Sequence, residues 1–286
     1  MKKHYPTLIL IFVFLVGLSV LLYPSVSDYY NSFHQSRAVA SYDATMGKLT
    51  EQNVSDFLQA AKTYNKKLLD QGASCFTLTD AEEEEYNHVL NMDGNGMMGY
   101  LSIKKLGIQL PIYHGTSESV LAAGIGHLAG SSLPVGGTGT HCVLSGHRGL
   151  PSAKLLTDLD QMEVGDTFSI IALHETLTYQ VDQILIVNPD EVSSLSIDPN
   201  EDYCTLVTCT PYGINTQRLL VRGHWVETPE ETYIAADAVP IDPLMVAPVI
   251  AAPILLVLLI WLLAAPGKPK TTAKRQEKDG GGEKPI

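Results

Sequence analysis

A series of short runs rich in Val, Ile, Leu and Thr, spread over residues 100–226, constrains the fold most. The runs are 100–103, 108–113, 140–145, 167–173, 176–187, 203–209 and 218–226. Glycine and proline separate these runs, a pattern typical of strands joined by turns. Many short strands predict a closed or nearly closed all-β domain, because closure leaves no sheet edge exposed.

The last two runs carry the residues of greatest chemical interest. They flank residues 210–217, which contain Pro, Gly and Asn and therefore predict a loop between two strands. If those strands pair antiparallel, Cys209 lies opposite Arg218. The run 140–145 ends just before His147, whose imidazole could then reach the thiol. A lone cysteine is usually a small buried side chain, but a cysteine, an arginine and a histidine together near strand ends favour a reactive site.

These residues carry a resemblance to a known family. Residues 205–209, Thr-Leu-Val-Thr-Cys, resemble the Thr-Leu-x-Thr-Cys signature of sortases, the surface transpeptidases of Gram-positive bacteria. The histidine in residues 145–148, Ser-Gly-His-Arg, and the arginine nine residues after the cysteine also match. Residues 113–116 (Tyr-His-Gly-Thr) and 126–134 resemble the class C branch, which builds pili. The resemblance covers about residues 86–226.

The resemblance implies a mainly β fold, an eight-stranded barrel with short helices over residues 91–227. It implies Cys209 as nucleophile, His147 as proton donor and acceptor, and Arg218 at the oxyanion or the substrate backbone. An isolated thiol is only about 3% thiolate at pH 7, so peptide transfer needs such help. Neither the motifs nor the resemblance implies a cofactor or a metal, and no cysteine spacing is typical of metal ligands.

The reaction that the resemblance implies is cleavage of a Leu-Pro-x-Thr-Gly sorting signal between Thr and Gly, leaving a thioester on Cys209. In class C, a lysine amine of a pilin subunit resolves this thioester. One alternative is a wall-anchoring sortase with a peptidoglycan amine as acceptor, and another is a non-catalytic membrane-held scaffold. Residues 24–243 hold 28 acidic and 11 basic residues, a net charge of −17, which argues against a nucleic-acid partner.

The two ends of the chain predict membrane segments. Residues 7–23 are uncharged and follow two lysines, which predicts a retained anchor or, with a small-x-small cleavage site at 25–27, a signal peptide. After a linker, 228–243, a second uncharged stretch predicts a span at 244–265, before a basic tail, 266–286. Basic residues outside both spans place the two termini in the cytoplasm and the acidic region outside the cell membrane.

The region 24–90 between the first span and the barrel has a helical pattern. Val54, Phe57, Ala61 and Leu68 share one helical face, and Gly72 is a plausible helix end. Thr79 and Glu82 have the spacing of a capping box that opens a second helix.

The loop 73–81 lies where class C sortases carry a lid with Asp-Pro followed by an aromatic residue. This chain lacks that dipeptide there and has Cys75, Phe76 and Asp80 instead. We consider two hypotheses. Either the loop is a lid, with Phe76 covering the cleft and Asp80 directed toward Arg218, or it is only a connector.

Several other reactive side chains are expected to be structural. Cys142 and Cys204 lie in apolar runs and are expected in the core, without a disulfide. His114, His127 and His141 have no evident acid–base partner in the sequence.

Overall fold

The computed structural model describes residues 5–72, 76–228 and 255. Its eight strands are β1 (Met97–Ile103), β2 (Ile108–His114), β3 (Ile125–His127), β4 (Thr140–Ser145), β5 (Thr167–Ala172), β6 (Glu175–Val187), β7 (Asp202–Thr210) and β8 (Gln217–Val226). The seven predicted runs correspond to seven of these strands. The sequence did not predict β3, because three residues are too few to show a repeating pattern.

The strands form a closed barrel in the order β1-β2-β3-β4-β7-β8-β6-β5, and β5 pairs with β1 to close it. This confirms the predicted eight-stranded barrel. Most pairs are antiparallel, but β2–β3 and β4–β7 are parallel. The first four strands and the last four therefore form two halves that meet at β4–β7 and at β1–β5.

The barrel interior is filled by alternate side chains of the strands. Leu101, Ile170, Leu206 and Val221 are completely buried. The burial alternates along β1 and β7, as expected of strands with one face toward the core. Completely burying one Leu or Ile side chain stabilises the fold by about 1.5–3 kcal/mol, so this interior is a main source of stability.

A long helix, α1 (Tyr5–Met46), leads into the barrel. Its 42 residues extend over roughly 63 Å at 1.5 Å per residue. Its C-terminal part packs on the barrel, where the Tyr42 hydroxyl donates to the Met98 carbonyl at 3.1 Å and accepts from the Leu173 amide. The helix continues across residues 23–24, where a boundary between segments was expected.

The N-terminal part of α1 carries exposed apolar side chains. Within the described residues, α1 is the one helix long and apolar enough to cross a membrane. The expected second span, 244–265, lies outside the described residues except for residue 255, as do most of the linker and the basic tail.

Two shorter helices follow α1. Helix α2 (Glu51–Gln71) ends at Gly72, which has the left-handed φ of 73° that glycine adopts without strain. Helix α3 (Asp80–His88) begins with the capping box of Thr79 and Glu82, as predicted. Asn65 of α2 attaches this region to the barrel, since its amide accepts from the Leu133 N–H at 2.7 Å and donates to the Leu133 carbonyl.

A fourth helix, α4 (Glu118–Ala123), connects β2 to β3 and begins at the Ser117 cap. Its first residue lies close to the end of β4, where the candidate site is built.

Candidate active site

Cys209 and Arg218 face each other across the β7–β8 hairpin, as the sequence predicted. Opposite residues of an antiparallel pair project from the same face of the sheet, so the thiol and the guanidinium share one face. Both side chains are half-buried. Arg218 Nη1 donates to the Gln217 carbonyl at 3.1 Å and to the Asn215 carbonyl at 3.4 Å.

His147 reaches the same end of the barrel through the parallel β4–β7 pair. The register ends with Ser145 opposite Val207. His147 follows Ser145 by two residues, and Cys209 follows Val207 by two residues. The Gly146 amide donates to the Val207 carbonyl at 3.0 Å. The buried Thr208 hydroxyl donates to the Gly146 carbonyl at 2.8 Å. The residue just before Cys209 is therefore bonded to the residue just before His147.

Gly146 is required at this junction for steric reasons. A Cβ atom there would lie 2.8 Å from Cδ1 atoms of both Ile125 and Leu156, closer than real Cβ contacts. On its other side, the His147 carbonyl accepts from the Leu156 amide at 3.1 Å. The backbone on both sides of the imidazole is thus held by main-chain contacts.

Glu118, the first residue of α4, is a neighbour of His147 that the sequence reading missed. Its Oε1 lies 3.5 Å from His147 Nε2, and the Glu118 side chain is 84% exposed while that of His147 is 22% exposed. His147 Nε2 makes no hydrogen bond within the described part of the chain. The carboxylate and the imidazole are thus at ion-pair distance, although solvent weakens an exposed pair of this kind. No element was predicted at residues 118–123, so the approach of Glu118 to His147 was not predicted either.

Arg148, next to His147, contacts Asp160 and Thr210. Its side chain is only 9% exposed, and Nη2 forms an ion pair with Asp160. Nη1 donates to the Thr210 hydroxyl at 3.3 Å. Arg148 therefore ties the segment that follows His147 to the end of β7.

An apolar cleft of about 320 Å³ lies beside Arg218. Its walls include the small buried cluster Val143, Val187, Leu195 and Leu220. Phe76 packs against this cluster and lines the cleft. An aromatic side chain from the segment before α3 thus occupies part of the space beside Arg218.

The other two residues of the lid hypothesis are placed differently. Asp80 is exposed in the first turn of α3, and no ion pair joins it to Arg218 among the described residues. Cys75 lies outside the described residues, together with residues 73 and 74.

The three histidines set aside in the sequence analysis lie in hydrogen-bonded networks away from the thiol. His141 Nδ1 donates to the Ser196 carbonyl at 2.9 Å, and Nε2 lies 2.7 Å from the Thr205 hydroxyl. Burial lowers the pKa of His141 and of His114. His127 is completely buried beside Tyr86.

Cys142 and Cys204 are buried in the core, as predicted, and lie opposite each other in the β4–β7 pair as free thiols. Burial raises the pKa of Cys204, which keeps that thiol protonated and unreactive.

Comparisons with known proteins identify the family to which this fold belongs. The family model of the sortase domain matches residues 101–226. The crystal structure of sortase C1 from Streptococcus agalactiae is 51% identical, and the match covers 67% of this chain and 99% of that one, with a TM-score of 0.66. Sortase C from Streptococcus pneumoniae is 38% identical over 67% of this chain and 97% of its own, with a TM-score of 0.61.

A more distant relative is sortase D of Bacillus subtilis strain 168. It is 30% identical over 128 residues, which span 44% of this chain and 62% of that protein. The domain match, the high identity to sortase C1 and the nearly complete coverage of that structure lead to one conclusion: the chain belongs to the sortase family, in its class C branch.

Proposed function

We propose that this protein is a membrane-anchored cysteine transpeptidase that joins pilin subunits. The observation that carries the proposal is the convergence of Cys209, Arg218 and His147 from three neighbouring strand ends beside an apolar cleft. A thiol, a fixed cation and an imidazole in one place supply a nucleophile, an oxyanion partner and a proton carrier.

In the first half of the proposed reaction, the Cys209 thiolate adds to the threonine carbonyl carbon of a Leu-Pro-x-Thr-Gly-like signal. Arg218 stabilises the negative charge that develops on the carbonyl oxygen. The C–N bond to glycine then breaks, and the His147 imidazolium gives its proton to the leaving amine. The product is a thioester on Cys209, and the Glu118 carboxylate lies 3.5 Å from the ring nitrogen Nε2 of His147 during this step.

In the second half, a lysine amine of a pilin adds to the thioester carbonyl. His147 takes a proton from this amine, the C–S bond breaks, and an isopeptide bond forms while the thiolate returns. The solved sortase C of Streptococcus pneumoniae is described with respect to its pilin substrate specificity. That likeness supports a pilin lysine over a peptidoglycan amine as the acceptor.

We assign the cleft beside Arg218 to the apolar residues of the sorting signal. A volume of about 320 Å³ and walls of Val143, Val187, Leu195 and Leu220 suit a leucine and a proline. Phe76 lies in the same cleft, so signal and side chain would compete for it. We therefore favour the lid over the connector, with Phe76 as the residue that leaves when a signal binds.

The proposed placement in the cell follows from α1 and from the charges at the ends of the chain. The apolar N-terminal part of α1 supports a membrane anchor. Basic residues at both ends support cytoplasmic termini, with the catalytic domain outside the cell.

Incubation of purified protein with a sorting-signal peptide and candidate pilins tests the proposal. Mass spectrometry should show a thioester on Cys209 and then a lysine-linked product, and Cys209→Ala should yield neither. A product linked to a peptidoglycan amine and never to lysine would favour wall anchoring. Failure of the folded wild-type protein to cleave any signal peptide would favour the non-catalytic scaffold.

A further inference from the structure

The helix α1 fixes where the active site lies relative to the membrane. This inference rests on the membrane anchoring proposed above. Crossing about 30 Å of hydrocarbon takes about 20 residues, so a span that starts near residue 7 ends near residue 26. Asp28 is the first charged residue after Lys3. The carboxylate of Asp28 therefore lies at the boundary between hydrocarbon and headgroups.

Exposed aromatic side chains mark the same boundary. Tyr29, Tyr30 and Phe33 are 63%, 61% and 57% exposed on α1. Aromatic residues are enriched where a membrane helix passes through the headgroup layer. Charge and aromatic content thus place residues 28–33 at the lipid–water interface by two separate criteria.

The same turn of α1 is bonded to the segment that follows His147. Asp28 Oδ1 accepts from the Lys154 amide at 2.6 Å, and Asn31 Nδ2 donates to the Ser152 carbonyl at 2.7 Å. Residues 28 and 31 are only about 5 Å apart along a helix. Pro24 precedes both contacts, so a bend there changes the tilt of the span and not this distance. The headgroup layer is about 5–8 Å thick on each side, so residues 152–154 lie within it or against it.

The loop between Cys209 and Arg218 lies beside this segment. The ring of Tyr212 packs on Gly149, since a Cβ there would lie 3.0 Å from a ring carbon. Tyr212 and Ile214 are 61% and 68% exposed. Two large apolar side chains therefore project into solvent next to a segment that is bonded to the membrane helix.

We propose that the lipid bilayer surface is a docking partner of the active-site rim. The rim consists of residues 149–154 and 211–216, and Tyr212 and Ile214 enter the headgroup layer. Exposing this apolar pair to water is unfavourable, and burying it at the lipid–water interface is favourable. This favours lipid as the partner of the rim. Cys209, two residues before the rim, then lies close to the membrane surface, where substrates held in the same membrane reach it at a high effective concentration.

Depth-dependent fluorescence quenching tests this contact with the full chain in phosphatidylcholine–phosphatidylglycerol vesicles. The chain has two tryptophans, Trp225 and Trp261. The test variant combines Ile214→Trp with Trp225→Phe and Trp261→Phe, and the matched control keeps Trp225 alone. Trp225 lies on β8, seven residues from Arg218, or about 23 Å along the strand.

A lipid that carries a nitroxide at headgroup depth should quench the tryptophan at 214 at least twofold more than Trp225. Equal quenching of the two would overturn the proposal. If Ile214→Trp fails to fold, Tyr212→Trp on the same background serves the same comparison, with the same criterion.

Peptide cleavage in the same vesicles separates this proposal from the proposed function. Cleavage together with equal quenching would reject the membrane contact but not the transpeptidase activity. Stronger quenching at residue 214 without cleavage would reject the transpeptidase activity but not the membrane contact. Tyr212→Ser combined with Ile214→Ser should leave cleavage of a soluble peptide unchanged and lower that of a lipid-anchored peptide severalfold. Equal losses on both peptides would contradict a role in membrane docking.

Discussion

Replacing Phe76 by alanine should open the cleft and raise the rate at which a thiol reagent modifies Cys209. Complete burial of a phenylalanine side chain is worth about 1.5–3 kcal/mol, and Phe76 is half-buried against the apolar cluster. The lost contact is then about 0.8–1.5 kcal/mol, which corresponds to about a four- to twelvefold larger open population. If opening is a rapid pre-equilibrium, the modification rate rises by the same factor.

The assay follows mass addition over time on a Cys75→Ser background, which removes one competing thiol. Cys142 and Cys204 are 2% and 0% exposed, so they should react far more slowly. Phe57→Ala is the matched control, because Phe57 is also half-buried but lines a separate cavity beside α3. A Phe76→Ala rate equal to that of the control would refute the lid.

Asp80→Ala probes the second part of the lid hypothesis with the same assay. Since no ion pair joins Asp80 to Arg218 among the described residues, we expect a smaller effect than that of Phe76→Ala. A larger effect would mean that Asp80, and not Phe76, holds the cleft closed.

Three further predictions concern the site and its support. Arg218→Lys should lower kcat/KM by more than tenfold, because a point charge cannot replace the planar guanidinium; retention of more than about a tenth, under 1.4 kcal/mol, would exclude Arg218 as the oxyanion partner. Glu118→Gln should lower kcat/KM by less than about tenfold, because exposed ion pairs are weak. The difference in kcat/KM from the wild type should shrink as the salt concentration rises, because salt screens such pairs. A hundredfold loss at every salt concentration would contradict this. His141 has a lowered pKa in the folded protein, so the unfolded chain binds a proton at a higher pH than the folded protein does. The free energy of unfolding should therefore fall as the pH drops below about 6.5, and this fall should end below the folded pKa. In urea unfolding between pH 5 and 7.5, the free energy of unfolding should depend less on pH in His141→Gln than in the wild type. An equal pH dependence in the two proteins would show that His141 is not its source.

The parts of the molecule that the sequence predicted are local. The Cys209–Arg218 pairing was predictable because a short loop sets the register of a hairpin. The capping box at Thr79 was predictable for the same reason, since both partners lie within one turn. Seven strands and a closed or nearly closed sheet followed from the repeated short runs, and the number of eight strands followed from the family resemblance.

The parts that the sequence did not predict depend on distant residues. Glu118 meets His147 across 29 residues of chain, through the orientation of α4. The bonds from Asp28 and Asn31 to residues 152–154 span more than 120 positions. No periodicity reports such contacts, because side-chain packing between elements decides them. The length of α1 was missed because the uncharged run and the polar helical pattern that follows it suggested two separate segments, with a boundary at residues 23–24.

The division of the barrel into two halves has a consequence for how activity appears during folding. His147 follows the last strand of the first half, whereas Cys209 and Arg218 belong to the second. Pairing β4 with β7 closes a loop of about 60 residues, and such non-local pairing forms late because its entropy cost comes first. A chain with only one half folded holds the thiol without the imidazole that we propose as its proton carrier, or the imidazole without the thiol. A newly synthesised chain would therefore stay inert toward neighbouring peptides until the seam between its halves has closed.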